Sequence, residues 1–81
     1  MTDTDQKSAI YLRLTRAEAL VLFEWVARVG AAGDLLVEDP AEQQVLWRIE
    51  GQLESKLSEP LGPEYKEAVE AARKEVRGSE Q

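Results

Sequence analysis

No cysteine and no histidine occur in the 81 residues of this chain. The first absence excludes disulfides, thiolate zinc sites, iron–sulfur clusters and thiol catalysis. The second removes the commonest general base and the commonest transition-metal ligand. Long apolar runs are missing as well. Even in the most hydrophobic segment, the charge-free stretch Ala19 to Phe23 falls far short of the ~18 residues that cross a bilayer. The opening MTDTDQKSAI has no basic n-region and no apolar core, so it does not read as a secretory signal. The expectation is a soluble, cytoplasmic protein without membrane contact.

A chain this short buries only about 60% of the surface that its unfolded form exposes, so its stability is marginal without help. Disulfides and thiolate or histidine metal sites are already excluded, which leaves oligomerisation as the remaining helper. The reading is one helical domain over residues 9–77, a disordered tail over 1–8 and a frayed end over 78–81.

Positive charge is scarce where negative charge gathers. The net charge is −6. Residues 34–62 hold seven acids against Arg48 and Lys56, a local charge of −5, while residues 1–33 balance. Phosphate backbones need basic partners, so direct nucleic-acid binding is disfavoured. An acidic face either keeps a small protein soluble or steers a basic protein toward it.

Ile10, Leu12 and Leu14 alternate with Tyr11 and Arg13, the period-2 pattern of a half-buried strand. Thr15-Arg-Ala-Glu18 then forms a capping box and predicts a helix from Arg16 to Ala31, with Gly30 or Gly33 suited to ending it. Leu35 to Val37 reads either as a very short strand or as an apolar plug. Asp39-Pro40-Ala41-Glu42 starts a second helix, from Pro40 to Ser58, stopped by Glu59-Pro60. A third runs from Pro63 to Arg77, its acids early and its bases late, as the helix dipole favours. The fold class predicted is mainly α: a three-helix bundle preceded by one short N-terminal β-strand, with that strand able to pair across a homodimer.

The third helix has an ordinary apolar stripe of Tyr65, Val69, Ala72 and Val76, with Ala68 beside it. The second has a seam of Leu46, Ile49, Leu53 and Leu57, and Val45 lies at its edge. Trp47 sits roughly 120° from the centre of that seam. It packs either under the strand and the 34–39 loop, or stands as an exposed aromatic anchor ringed by Glu42, Glu50 and Glu54. The first helix is apolar over most of its circumference. Leu20, Leu22, Phe23, Val26 and Val29 suffice to meet the other two helices, which leaves Val21 and Trp25 over. A lone strand also leaves its backbone groups unpaired. Both features point to a homodimer with Ile10, Leu12, Val21 and Trp25 at its seam.

No constellation reads as catalytic. The serines have no base to activate them, and Glu50 with Glu54 is a solvent-facing pair on one helix face. The acids Asp34, Glu38, Asp39 and Glu42 fail the spacing of a calcium loop, and Gly30-Ala-Ala-Gly33 lacks the lysine and hydroxyl of a phosphate loop. A helix-turn-helix reading fails on charge. No enzyme activity, cofactor or metal is expected.

The stretch Tyr11-Leu-Arg-Leu-Thr-Arg-Ala-Glu-Ala-Leu-Val-Leu-Phe-Glu-Trp25, with Ala41-Glu-Gln-Gln-Val-Leu-Trp-Arg-Ile-Glu50 and Glu59-Pro-Leu-Gly-Pro-Glu-Tyr65, resembles a group of short acidic bacterial proteins that begin with a strand and continue as helices. The resemblance covers about residues 10–73 and rests on capping and core motifs. It implies a fold and a bacterial origin, and it carries no activity or site. The functional expectation is therefore a small acidic protein–protein interaction module, homodimeric, that contacts a partner through Trp47, Glu42, Glu50 and Glu54. The alternatives are a toxin-neutralising immunity or antitoxin protein, or a charge-mimic regulator of a nucleic-acid-binding protein.

Overall fold

Thr15 opens the fold as its sequence dictates. In the computed structural model, which describes residues 8–32 and 37–78, the Thr15 hydroxyl accepts from the Glu18 amide at 3.1 Å. The Glu18 carboxylate accepts from the Thr15 amide at 2.8 Å. With both orphan donors satisfied, helix α1 spans Arg16–Ala31. Its end falls at the expected Ala31, though not with Gly30 as its cap. Ala32 caps it in right-handed geometry, its amide donating to Arg28 and Val29, while Gly30 stays inside the helix. Gly33 lies outside the described residues.

Helix α2 spans Pro40–Lys56. Its start is the predicted one: Asp39 accepts from the Ala41 amide at 2.8 Å, and proline occupies a position with no amide to satisfy. It stops two residues before the predicted Ser58. Leu57 adopts an extended conformation (φ −110°, ψ 138°) and is buried. Continuing the helix would forgo that geometry, so burial of one leucine ends α2 before the proline does. A 3₁₀ turn at Glu59–Leu61 leads into helix α3, Tyr65–Gly78. Pro63 and Glu64 form a turn ahead of α3, and the Glu64 carbonyl accepts from the Ala68 amide.

The packing is organised around α1. Both α2 and α3 pack on it, and they barely touch each other. Leu20, Phe23 and Ala17 of α1 meet Val69 and Ala72 of α3 and the inserted Leu57, with Leu53 and Val76 at the margin. Phe23 and Tyr65 meet edge to face at 6.4 Å and 87°, an arrangement worth about 1 kcal/mol beyond burial. The predicted apolar stripes of α1 and α3 are the ones buried.

Two expectations need correction or lie out of view. Among the described residues there is no strand. Residues 9–15 carry no regular secondary structure, and Ile10, Tyr11 and Leu12 are 86%, 84% and 78% exposed. Alternation marks one apolar face, but a ladder needs a partner, and no described segment of this chain supplies one. Of the tails expected over 1–8 and 78–81, Ser8 and Gly78 are helical, and residues 1–7 and 79–81 lie outside the described residues, as do Leu35 and Leu36; Val37 itself is not in a strand.

The core makes a direct stability test. Leu20→Ala should cost about 2–5 kcal/mol in urea unfolding, whereas Leu61→Ala, at an exposed site, should stay within about 0.5 kcal/mol.

Candidate interaction surface

No polar or charged side chain is buried among the described residues, and no three acids, histidines or cysteines converge there as metal ligands. No described helix is long and apolar enough to cross a membrane. The features left to interpret are on the surface.

Trp47 stands 61% exposed, so it does not pack beneath the rest of the chain. It edges a cleft at the start of α2 with Val37, Pro40, Gln43 and Gln44. Of the acids grouped with it, Glu42 and Glu54 are exposed and Glu50 is half-buried. Glu42 is partly engaged already, accepting from the Glu38 amide at 2.8 Å.

Trp25 is 48% exposed and stands on the open side of α1. It borders two grooves. One, of about 330 Å³, runs between α1 and α3 past Val21, Leu22, Arg73 and Val76. The other, of about 610 Å³, lies between α1 and α2 and is walled by Trp25, Val29, Val37, Ala41, Val45 and Leu46, with Glu42 at its rim. Val21 and Trp25 thus line one groove, with Val21 also packed against the core. The structure places Trp47 on a neighbouring cleft that shares only Val37 with the larger groove. Ile10 and Leu12 stand apart on the exposed segment before α1. Val45 is the residue that sequence reasoning undervalued: its place at the edge of the α2 seam was visible, but its pairing with Trp25 across a groove was not.

Two polar ties hold this surface in shape. The Arg16 guanidinium donates to both Glu59 carboxylate oxygens at 2.8 and 2.9 Å and to the Ser58 hydroxyl at 3.2 Å, pinning the α2–α3 connection to the start of α1. Hydrogen bonding from Arg16 holds the Glu59 carboxyl below the usual glutamate range, with its charge adding to the effect. The Tyr65 hydroxyl donates to Glu24 at 2.6 Å. Burial, and then this bond to a carboxylate, push the Tyr65 phenol well above its ordinary range. Glu24 also faces Arg28 at 3.7 Å, a helical pair worth only about 0.3 kcal/mol.

With this geometry in place, comparison with known proteins returns no match to any family model, curated protein or solved structure.

The Arg16–Glu59 tie gives a pH signature. A carboxyl with a lowered folded-state pKa contributes stability that is present above its unfolded value and lost as pH falls through the folded one. As pH falls below about 4, near the ordinary glutamate value, wild type should therefore lose more stability than Glu59→Gln, while above it the two should run parallel. Urea midpoints measured across that range give the comparison.

Proposed function

We propose that the chain is a non-enzymatic, acidic protein–protein interaction module that acts as a cytoplasmic homodimer. The observation that carries this reading is the state of α2. None of its 17 residues is buried, and both Val45 and Trp47 are exposed on it. A helix that contributes so little to its own core is suited to contacts outside it. Trp47 supplies a rigid amphipathic anchor of the type that dominates interface energetics. Glu42, Glu50 and Glu54 around it favour a partner of basic character and speed its approach.

The homodimer rests on separate features. Ile10 and Leu12 present apolar side chains to solvent, and Trp25 does so on α1 beside the partly buried Val21. Within this reading, the immunity or antitoxin role and the charge-mimic role differ in what the basic partner is. Placement among short acidic bacterial proteins belongs to the same proposal.

Two roles for two tryptophans make the test. Light scattering from about 1 to 100 μM should give twice the chain mass, falling toward one chain on dilution. Trp25 emission, read in Trp47→Phe, should move to the blue as the dimer forms. Trp47 emission, read in Trp25→Phe, should stay at the wavelength of a hydrated indole. A chain of single mass throughout the range, with both emissions unchanged, would rule out the dimer.

A further inference from the structure

The groove between α1 and α2 and the segment before α1 have complementary chemistry. We infer that residues 10–14 of one copy seat in the α1–α2 groove of a second copy, with Ile10 and Leu12 directed against Trp25 and Val45. This inference rests on the homodimer proposed above and specifies how the two copies engage.

Shape comes first. An extended segment rises about 3.3 Å per residue, so Ile10, Leu12 and Leu14 line about 13 Å of one edge. The groove, about 610 Å³, falls in the size range of clefts that bury a ligand's apolar groups, about 300–1,000 Å³. Its walls are aliphatic and aromatic, with Glu42 as the acid at the rim.

Charge agrees with shape. Residues 8–15 contain one charged side chain, Arg13, which forms no ion pair with the described residues. Glu42, whose Oε1 accepts from the Glu38 amide, is the acid at the groove's rim that a guanidinium would meet.

The chain's own segment cannot do the same. Thr15 is fixed as the cap of α1, and Trp25 lies ten residues along that helix, about 15 Å away, with Val29 about 21 Å away. Leu12 is three residues from Thr15 and reaches about 10 Å at full extension. Ile10 reaches about 17 Å, enough to meet Trp25 at the groove's near end but not to lay the apolar edge along it. A second copy carries no such tether. Twofold symmetry then supplies two segments for two grooves.

The area suffices. Ile10, Leu12 and Leu14 on one edge of the segment, with Trp25 and Val45 of the groove, are each about two-fifths or more exposed. Roughly 100 Å² for each gives about 500 Å² per chain and about 1,000 Å² for the pair, before backbone is counted. That meets the lower limit of a specific interface, about 1,000 Å².

The absence of cysteine permits a clean test. Chains carrying both Leu12→Cys and Val45→Cys, half of them ¹⁵N-labelled, are mixed, allowed to exchange and joined with a short bis-maleimide. The expected product is a 12–45 linked peptide pair, half of it carrying one labelled and one unlabelled peptide. In parallel, Leu12→Asp should weaken the wild-type dimer at least about tenfold, since it places a charge in an apolar groove, with helical circular dichroism unchanged. Linked pairs of uniform label only would put the segment on its own chain and overturn the inference. A dimer with no 12–45 link and no response to Leu12→Asp would overturn it while leaving the homodimer standing. A monomeric wild type would remove both.

Discussion

Five of the eight buried side chains among the described residues belong to α1: Ala17, Leu20, Phe23, Val26 and Val29. The remaining architecture follows from the need to cover that helix. Leu57 leaves helical geometry to reach it, α3 lays Val69 and Ala72 on it, and Tyr65 turns its ring edge to Phe23 while its hydroxyl finds Glu24 on the same helix. Two helices cannot enclose a third on all sides. Trp25 emerges on the side of α1 that no described helix covers.

The Arg16–Glu59 tie complements this packing at one end. Arg16 is the first residue of α1 and Glu59 begins the 3₁₀ turn, so a forked pair joins the start of the central helix to the connection between the flanking ones. Both groups are partly solvated, and the tie therefore contributes alignment more than energy. The Leu57 insertion next to it supplies the apolar part of the same junction.

Capping chemistry made much of this fold readable in the sequence. Thr15 with Glu18, and Asp39 with Pro40, fix helix starts through local hydrogen bonds that depend on nothing distant. The excess of apolar residues on α1 marked it as the central element, and the offset of Trp47 took it off the α2 seam while leaving open whether the strand or the 34–39 loop covered it. Features that depend on distant partners were not readable. Arg16 meets Glu59 across 43 residues and Tyr65 meets Glu24 across 41, and no periodicity links either pair. The strand expectation failed for a related reason. The alternation of Ile10, Leu12 and Leu14 reports which side wants burial, and says nothing about whether a ladder lies alongside. The groove walls were partly legible: Trp25 appeared as surplus on its own helix, but its proximity to Val45 follows from how α2 lies across α1.

Because α2 rests on α1 and barely meets α3, and buries none of its own residues, its outward sequence is nearly decoupled from folding. Changes at exposed positions cost within about 0.5 kcal/mol, so positions such as Trp47 and Glu54 are free to drift with little penalty in foldedness. Sequence change on the outer face of α2 and the demands of a stable chain therefore fall on different residues, and α1 and α3 preserve the scaffold whatever that face becomes.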